Sequence, residues 1–265
     1  MALPPPVNAR PLADSGVLIT GGTSGGGLAT AVHFAMAGVQ RIALIGRDEA
    51  RGASACAAVV AAAPGVRVNF IMADANQVDQ ALRATETARR HLGRIDVLVN
   101  STLTEFTPQL LHNTAIGDIG PIIFDRLMAP LLMCRAVLPW MREERSGVII
   151  NIASDAAKVA TPGESVIAAA MAGIVIFSRT LAMEAKRDGI RVNVLTPSLI
   201  SGTQAAERHL QGGFSAKIFD KVASRAHLGL AQPEDLAALA VFLASPQAAR
   251  ITGQAISVNG GISAA

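Results

Sequence analysis

The stretch from Val17 to Ala29, VLITGGTSGGGLA, constrains this chain more than any other. Val17, Leu18, Ile19 and Thr20 are apolar or β-branched and read as a short buried strand, and five glycines among the next seven positions specify a tight turn. A helix is expected to follow at once, over Leu28 to Ala37. Gly21, Gly25 and Gly27 let the backbone approach a ligand closely, and the unpaired N–H groups of the helix start point at the same place with the positive end of its dipole. The expected result is a pyrophosphate cradle lined by Gly21, Thr23, Ser24, Gly25, Gly26 and Gly27. A glycine-rich surface loop is the alternative; the strand before and the helix after speak against it.

Downstream, strand-like runs alternate with helical ones at Arg41–Gly46, Val66–Met72, Val97–Asn100, Val148–Ile152, Arg191–Leu195 and Ala255–Val258. With the first strand this makes seven, a pattern that predicts an α/β doubly wound parallel sheet with helices on both faces. Residues 1–13 read as a Pro-rich leader and 14–265 as a single domain. Charged residues are 16% and apolar ones 51%, so much surface must be hidden in a covered sheet or between subunits. The net charge of +3 is small and scattered, which argues against a nucleic-acid or membrane partner. The N-terminus has no apolar signal core, and the longest apolar run, Ile167 to Phe177, is too short to span a bilayer. Cys56 and Cys134 suggest buried reduced thiols, and a cytoplasmic protein is expected. The five histidines share no metal-ligand spacing, so no metal is expected.

In such a sheet ligands bind beyond the carboxyl ends of the strands. After the second strand stands Arg47, where an NAD enzyme would carry an acid to hold the ribose 2′-hydroxyl. A guanidinium suits a 2′-phosphate instead, so NADP is the expected cofactor; a solvated helix-start residue is the alternative. The spacing G-x-x-x-G-x-G with Thr20 in front resembles the opening motif of the short-chain dehydrogenases and reductases, and the resemblance spans about residues 14 to 262. It implies a Rossmann-like fold. It also implies that Asp74, with Ala75, meets the adenine, although Asp74 could equally cap the next helix. Asn100 is what remains of the family's Asn-Asn-Ala-Gly, Leu103 replacing the glycine; Pro197 is kept from the family's Pro-Gly in the cofactor site, and Ile200 falls where the backbone meets the nicotinamide carboxamide.

The departures lie at the catalytic positions. GVIINIAS puts the family's catalytic serine on Ser154, and FDRLMAPLLMCRAVLPWM puts Arg126 at the position of a relay Asn. The family's Tyr and Lys positions hold Ile167 and Met171, and the chain contains no tyrosine. A Tyr phenol donates the proton as hydride arrives and a Lys lowers the phenol's pKa; Ile and Met can do neither. His112, Glu105 and Asp155 are the remaining groups near the expected cleft.

Two classes of function follow. One is an atypical NADPH-dependent carbonyl reductase acting on a small molecule, a ketone or quinone-like compound that brings its own acidic hydroxyl. Ser154 and Arg126 would polarise the carbonyl, with Ile167 and Met171 as an apolar wall for a flat polycyclic substrate. The other is a catalytically silent subunit or nucleotide-binding module, paired with an active paralogue. Ile200-Ser201-Gly202-Thr203 adds a short resemblance to the dienoyl-CoA reductase branch. A homotetramer or hetero-oligomer is expected, pairing the helices that contain Leu131–Met141 and Val166–Met183.

Overall fold

In a computed structural model, which describes residues 10–102, 107–203 and 213–265, seven strands form one parallel sheet in the order β3-β2-β1-β4-β5-β6-β7. The strands are β1 (Gly16–Thr20), β2 (Arg41–Gly46), β3 (Arg67–Met72), β4 (Val97–Asn100), β5 (Gly147–Ile152), β6 (Ile190–Pro197) and β7 (Ala255–Val258). The helices are α1 (Gly25–Met36), α2 (Glu49–Ala62), α3 (Val78–Leu92), α4 (Ile116–Glu143), α5 (Ser165–Ala185), α6 (Gly213–Ala223) and α7 (Pro233–Ala244). The chain thus has the Rossmann-like doubly wound fold that the alternating pattern predicts.

Each central strand is apolar on both faces because helices cover both. On one side Val17, Ile19, Ile42 and Leu44 pack with Phe34 of α1 and Leu236 and Leu243 of α7. On the other, Leu18, Ala43, Leu98 and Ile149 meet Ala84 and Ala88 of α3, Met133 and Val137 of α4 and Leu181 of α5. The strand order reverses between β1 and β4, so their carboxyl ends open the crevice in which a doubly wound sheet binds its ligand.

Several boundaries differ from expectation. Helix α1 begins at Gly25, three residues before Leu28, because glycine can form the first turn of the cradle as well as end the strand. β1 starts at Gly16, whose N–H is held by the Asp96 carboxylate at 2.9 Å. The helix expected from Phe124 extends from Ile116 to Glu143 despite Pro121, Pro130 and Pro139 within it. Residues 10–13, expected as leader, join the fold: Arg10 pairs with Asp96 and Glu144, and Leu12 packs on the core. The stretch Ser165–Asp188 is long and apolar enough to cross a membrane, its most apolar 18 residues having mean hydropathy 1.9, but half of those 18 are buried. Helix α5 packs on α4 and β6 as a core helix does.

Candidate active site

The glycine turn is built by backbone contacts that exclude side chains. Gly21 donates its N–H to Ile45 O at 2.9 Å and adopts φ +67°. A Cβ there would lie 2.7 Å from the carbonyl carbon of Ser101. A Cβ on Gly27 would lie 2.9 Å from the carbonyl carbon of Gly21 and closer still to its oxygen. Helix α1 therefore presses onto the turn, and its first N–H groups, from Gly25 onward, have no partner within the helix. Ser24 is the N-cap, exposed, with no side-chain capping bond. These are features of an anion cradle, and the residues present fit a dinucleotide pyrophosphate.

The ends of β2 and β6 lead toward this turn. A Cβ on Gly46, at the end of β2, would touch the Thr23 side chain at 3.0 Å, so Arg47 stands beside the turn, exposed. The cap of α2 is Asp48, which accepts from Arg51 N at 2.9 Å; Arg47 is not needed for that purpose. Asp74 does not cap α3, whose N-cap is Gln77. Its carboxylate instead accepts from Asn76 N at 3.0 Å, tightening the loop after β3, with Ala75 buried. Asn76, missed from sequence, accepts from Ala129 N at 2.9 Å and ties that loop to α4. Ile200, after Pro197, forms a parallel bridge with Ala231, and Thr203 lies 3.7 Å from where a Gly25 Cβ would be, so the segment after β6 reaches the cradle.

Asn100 stands at the end of β4, beside the end of β1. It is fully buried, accepts from Thr20 Oγ1 at 3.1 Å and donates to Asn151 Oδ1 at 2.8 Å. Asn151 donates to Ser178 Oγ at 2.8 Å, and Ser178 donates to Ile174 O at 2.7 Å. This chain of polar groups ties β1, β4, β5 and α5 together. Cys134 lies against both Asn side chains, and burial pushes its thiol up to about 12, which keeps it inert. Cys56, expected buried, is only half-buried.

Ser154 follows β5 as the cap of a short 3-10 turn, and its hydroxyl oxygen accepts from Ala156 N at 3.2 Å, which leaves its proton for another acceptor. Asp155 is committed elsewhere. It accepts from Ser257, Asn259 and Ser263 and anchors the end of the chain, while Lys158 donates to Ser257 and Ala265 O. Ile167 and Met171 do not form an open wall: at 8% and 4% exposure they pack with Ala153, Ile174, Val175 and Val194. Thr196, two residues beyond Val194 and so on the same face of β6, carries a buried hydroxyl with no hydrogen-bond partner among the described residues.

Arg126 is 6% exposed, and burial lowers its guanidinium to about 10 against the opposing fields of Asp125 and Glu164. Glu164, just ahead of α5, was missed from sequence, where an acid before a helix reads as a capping residue. Burial raises its carboxyl above the ordinary value, while a bond with Thr161 and the charge of Arg126 pull it down. His112 lies exposed in the 3-10 turn Leu111–Asn113. Leu103, Glu105 and His209 lie outside the described residues.

Comparison with known proteins agrees with this geometry. Residues 21–263 match the family described as Enoyl-(Acyl carrier protein) reductase. The chain is 32% identical over 253 residues to a 3-oxoacyl-[acyl-carrier-protein] reductase of Chlamydia muridarum, covering 95% of this chain and 98% of that one. It is also 32% identical over 226 residues to the inactive 2-(S)-hydroxypropyl-CoM dehydrogenase 2 of Xanthobacter autotrophicus, covering 84% and 95%. The crystal structure of 3-ketoacyl-(acyl-carrier-protein) reductase from Brucella melitensis complexed with NADH superposes with a TM-score of 0.84 at 29% identity, over 96% of this chain and all of that one. With its cradle, its sheet order and matches running nearly end to end, the chain belongs to the short-chain dehydrogenase/reductase family.

Proposed function

We propose that this protein is an NADP(H)-dependent oxidoreductase of a carbonyl or alcohol compound that works without the phenol–ammonium pair. The observation that carries the reading is the intact cradle, where Gly21 and Gly27 leave no room for a Cβ, set beside the exposed Arg47. A subunit kept only for its shape has no physical need of that opening. Bound there, the dinucleotide would supply or accept hydride. The chain's own part is to hold its phosphates with the α1 N–H groups, meet the 2′-phosphate with Arg47, and offer the Ser154 hydroxyl to the substrate oxygen. Ile167 and Met171 supply no proton and, being buried, no wall either, so the support they gave to a flat polycyclic substrate falls away. A substrate carrying an acidic hydroxyl beside its carbonyl remains the favoured class.

The inactive Xanthobacter relative favours a second reading, a silent subunit of a hetero-oligomer. Calorimetric titration with NADPH and NADH, followed by transfer of label from C4 of NADPH to a panel of simple and ortho-hydroxy ketones, separates the two. Binding that favours NADPH, with label transfer, supports the reductase; tight binding with no transfer to any ketone supports the silent subunit. The short likeness to dienoyl-CoA reductases is tested by adding an enoyl thioester to the panel. We place the protein in the cytoplasm as a tetramer, since Phe124 of α4 and Ile176 and Met183 of α5 leave large apolar side chains exposed on the paired helices. A monomer mass by light scattering at micromolar concentration would refute that assembly.

A further inference from the structure

Ser154, at the carboxyl end of β5, is carried by a 3-10 turn of three residues, Asp155–Ala157. Its carbonyl accepts from Ala157 N at 3.0 Å and its hydroxyl oxygen from Ala156 N at 3.2 Å. So short a turn has poor bond geometry of its own and depends on its surroundings for rigidity. Ala156 and Ala157 have no polar side-chain atom, so the side-chain bonds that hold the turn come from Asp155 and from Lys158, its C-cap. The Asp155 carboxylate is 5% exposed and accepts from Ser257 Oγ at 3.3 Å, Asn259 Nδ2 at 3.0 Å and Ser263 Oγ at 2.5 Å. These donors reach it as one preformed unit. Gly260 and Gly261, at φ +64° and +87°, reverse the chain after β7, Gly261 N donates to Asn259 Oδ1 at 3.0 Å, and Asn259 Nδ2 donates to Ser263 Oγ at 2.9 Å. The far side of that reversal is fixed by Leu228 N, which donates to Gly260 O at 3.0 Å. Lys158 closes the ring by donating to Ser257 Oγ and Ala265 O.

We propose that Asp155 is the positioning residue for Ser154: its carboxylate, gripped by Ser257, Asn259 and Ser263, fixes the turn so that the Ser154 hydroxyl is aimed at the substrate oxygen. The proposal rests on the reductase reading and deepens it. Asp155 takes part in no proton or hydride transfer; it acts only through the direction of its neighbour's O–H. That direction matters because a hydrogen bond weakens steeply as it is misaligned, and a donor already in place stabilises the charge that develops on oxygen without having to reorganise. Ile167 and Met171 offer that oxygen no donor, so the aim of Ser154 carries more of the stabilisation than it would beside a phenol. The residues from Asn259 to Ser263 thereby become part of the catalytic apparatus without touching the substrate.

The test is a double-mutant cycle on the full chain: parent, Ser154→Ala, Asp155→Ala and the two together, with NADPH and the ketone panel, read as single-turnover label transfer so that slow variants are still measured. Asp155→Ala is expected to slow transfer about tenfold or more. Its Kd for NADPH should stay within about twofold of the parent's, because the cradle is built on β1 and α1. In the Ser154→Ala background the same change should cost less than about twofold, since the hydroxyl it aims is gone. Asp155→Asn, whose amide oxygen can still accept from Asn259 and Ser263, should recover most of the rate. Should Asp155→Ala melt below the assay temperature, Ser263→Ala, which removes one donor of the three, carries the same comparison with a smaller loss. An active parent whose rate ignores both changes overturns the proposal. So do equal losses with and without the Ser154 hydroxyl, which mean a general loss of structure; either result leaves the reductase reading standing. A parent inert across the panel overturns the reductase reading, and this proposal with it.

Discussion

Gly27→Ala tests whether the cradle is as tight as its geometry requires. The added methyl would meet backbone atoms of Gly21 and, at 3.2 Å, Gly22 Cα, and none of these can rotate away. Gly21 is itself pinned by its bond to Ile45 O, so the strain must be taken up by moving α1 or opening the turn. Overpacking of this kind costs about 1–3 kcal/mol, partly offset by the roughly 0.5–1 kcal/mol that alanine gains over glycine in a helix. The net loss is on the order of 1–2 kcal/mol, or about 2–8 °C in melting temperature for a domain of this size. Gly26→Ala is the control one residue away, because its methyl would meet only the end of the Leu236 side chain, at 3.3 Å. It should melt within a few degrees of the parent, roughly 1 kcal/mol either way. Thermal melts with NADPH titrations of both variants decide the matter, Gly27→Ala being expected to lose at least about tenfold in affinity, or ~1.4 kcal/mol. If it melts with the parent and binds NADPH equally well, the reasoning about the turn is wrong.

Asn151→Ala should destabilise by about 1–3 kcal/mol, seen as a lower denaturant midpoint with an unchanged slope, because it strips the partner from the buried Asn100 amide. Met171→Lys, the change that restores one family residue, should cost on the order of 3 kcal/mol or more at neutral pH by placing an ammonium among Ala153, Ile174, Val175 and Val194. Its melting temperature should recover as the pH rises and the amine is neutralised. Glu164→Gln should gain stability relative to the parent as pH rises from 4.5 upward. The raised carboxyl of the folded parent contributes fully below the ordinary value, and that contribution is lost as the pH passes through the folded one; melts in a pH series check the sign. Arg47→Ala should reduce the preference for NADPH over NADH by about ten- to a hundredfold, corresponding to the ~1.5–3 kcal/mol of a charged hydrogen bond, measured by calorimetry.

The scaffold was legible in the sequence because its signals are local: alternating apolar runs for β1 to β7, and glycines where only a missing Cβ fits. The roles of individual polar residues were not, since they depend on which strand lies next to which. Nothing in the spacing tells that the Asn100 side chain ties Thr20 to Asn151, because its neighbours on β1 and β5 lie 80 and 51 residues away. Met171 and Ile167 read as a substrate wall until α5 is packed on β6, when the same apolar character buries them. The tie of Asp155 was invisible for a related reason: its partners Ser257, Asn259 and Ser263 stand 102, 104 and 108 residues later, and no spacing rule joins them.

The sheet order also sets a timetable for synthesis. β1 finds β2 within a few dozen residues, but its other neighbour, β4, pairs Asn100 with Thr20 and so arrives 80 residues later. At a translation rate of about 5–20 residues per second, that is a wait of roughly 4–16 s, during which β1 is an unpaired edge on a half-built sheet. Val17 and Ile19 can be covered in that time by α1, but Leu18, which needs α3 and α4, cannot. The nascent chain therefore exposes a specific apolar edge for seconds, and chaperone dependence during expression should track changes that lengthen the stretch between β1 and β4 more than changes of equal size after β5.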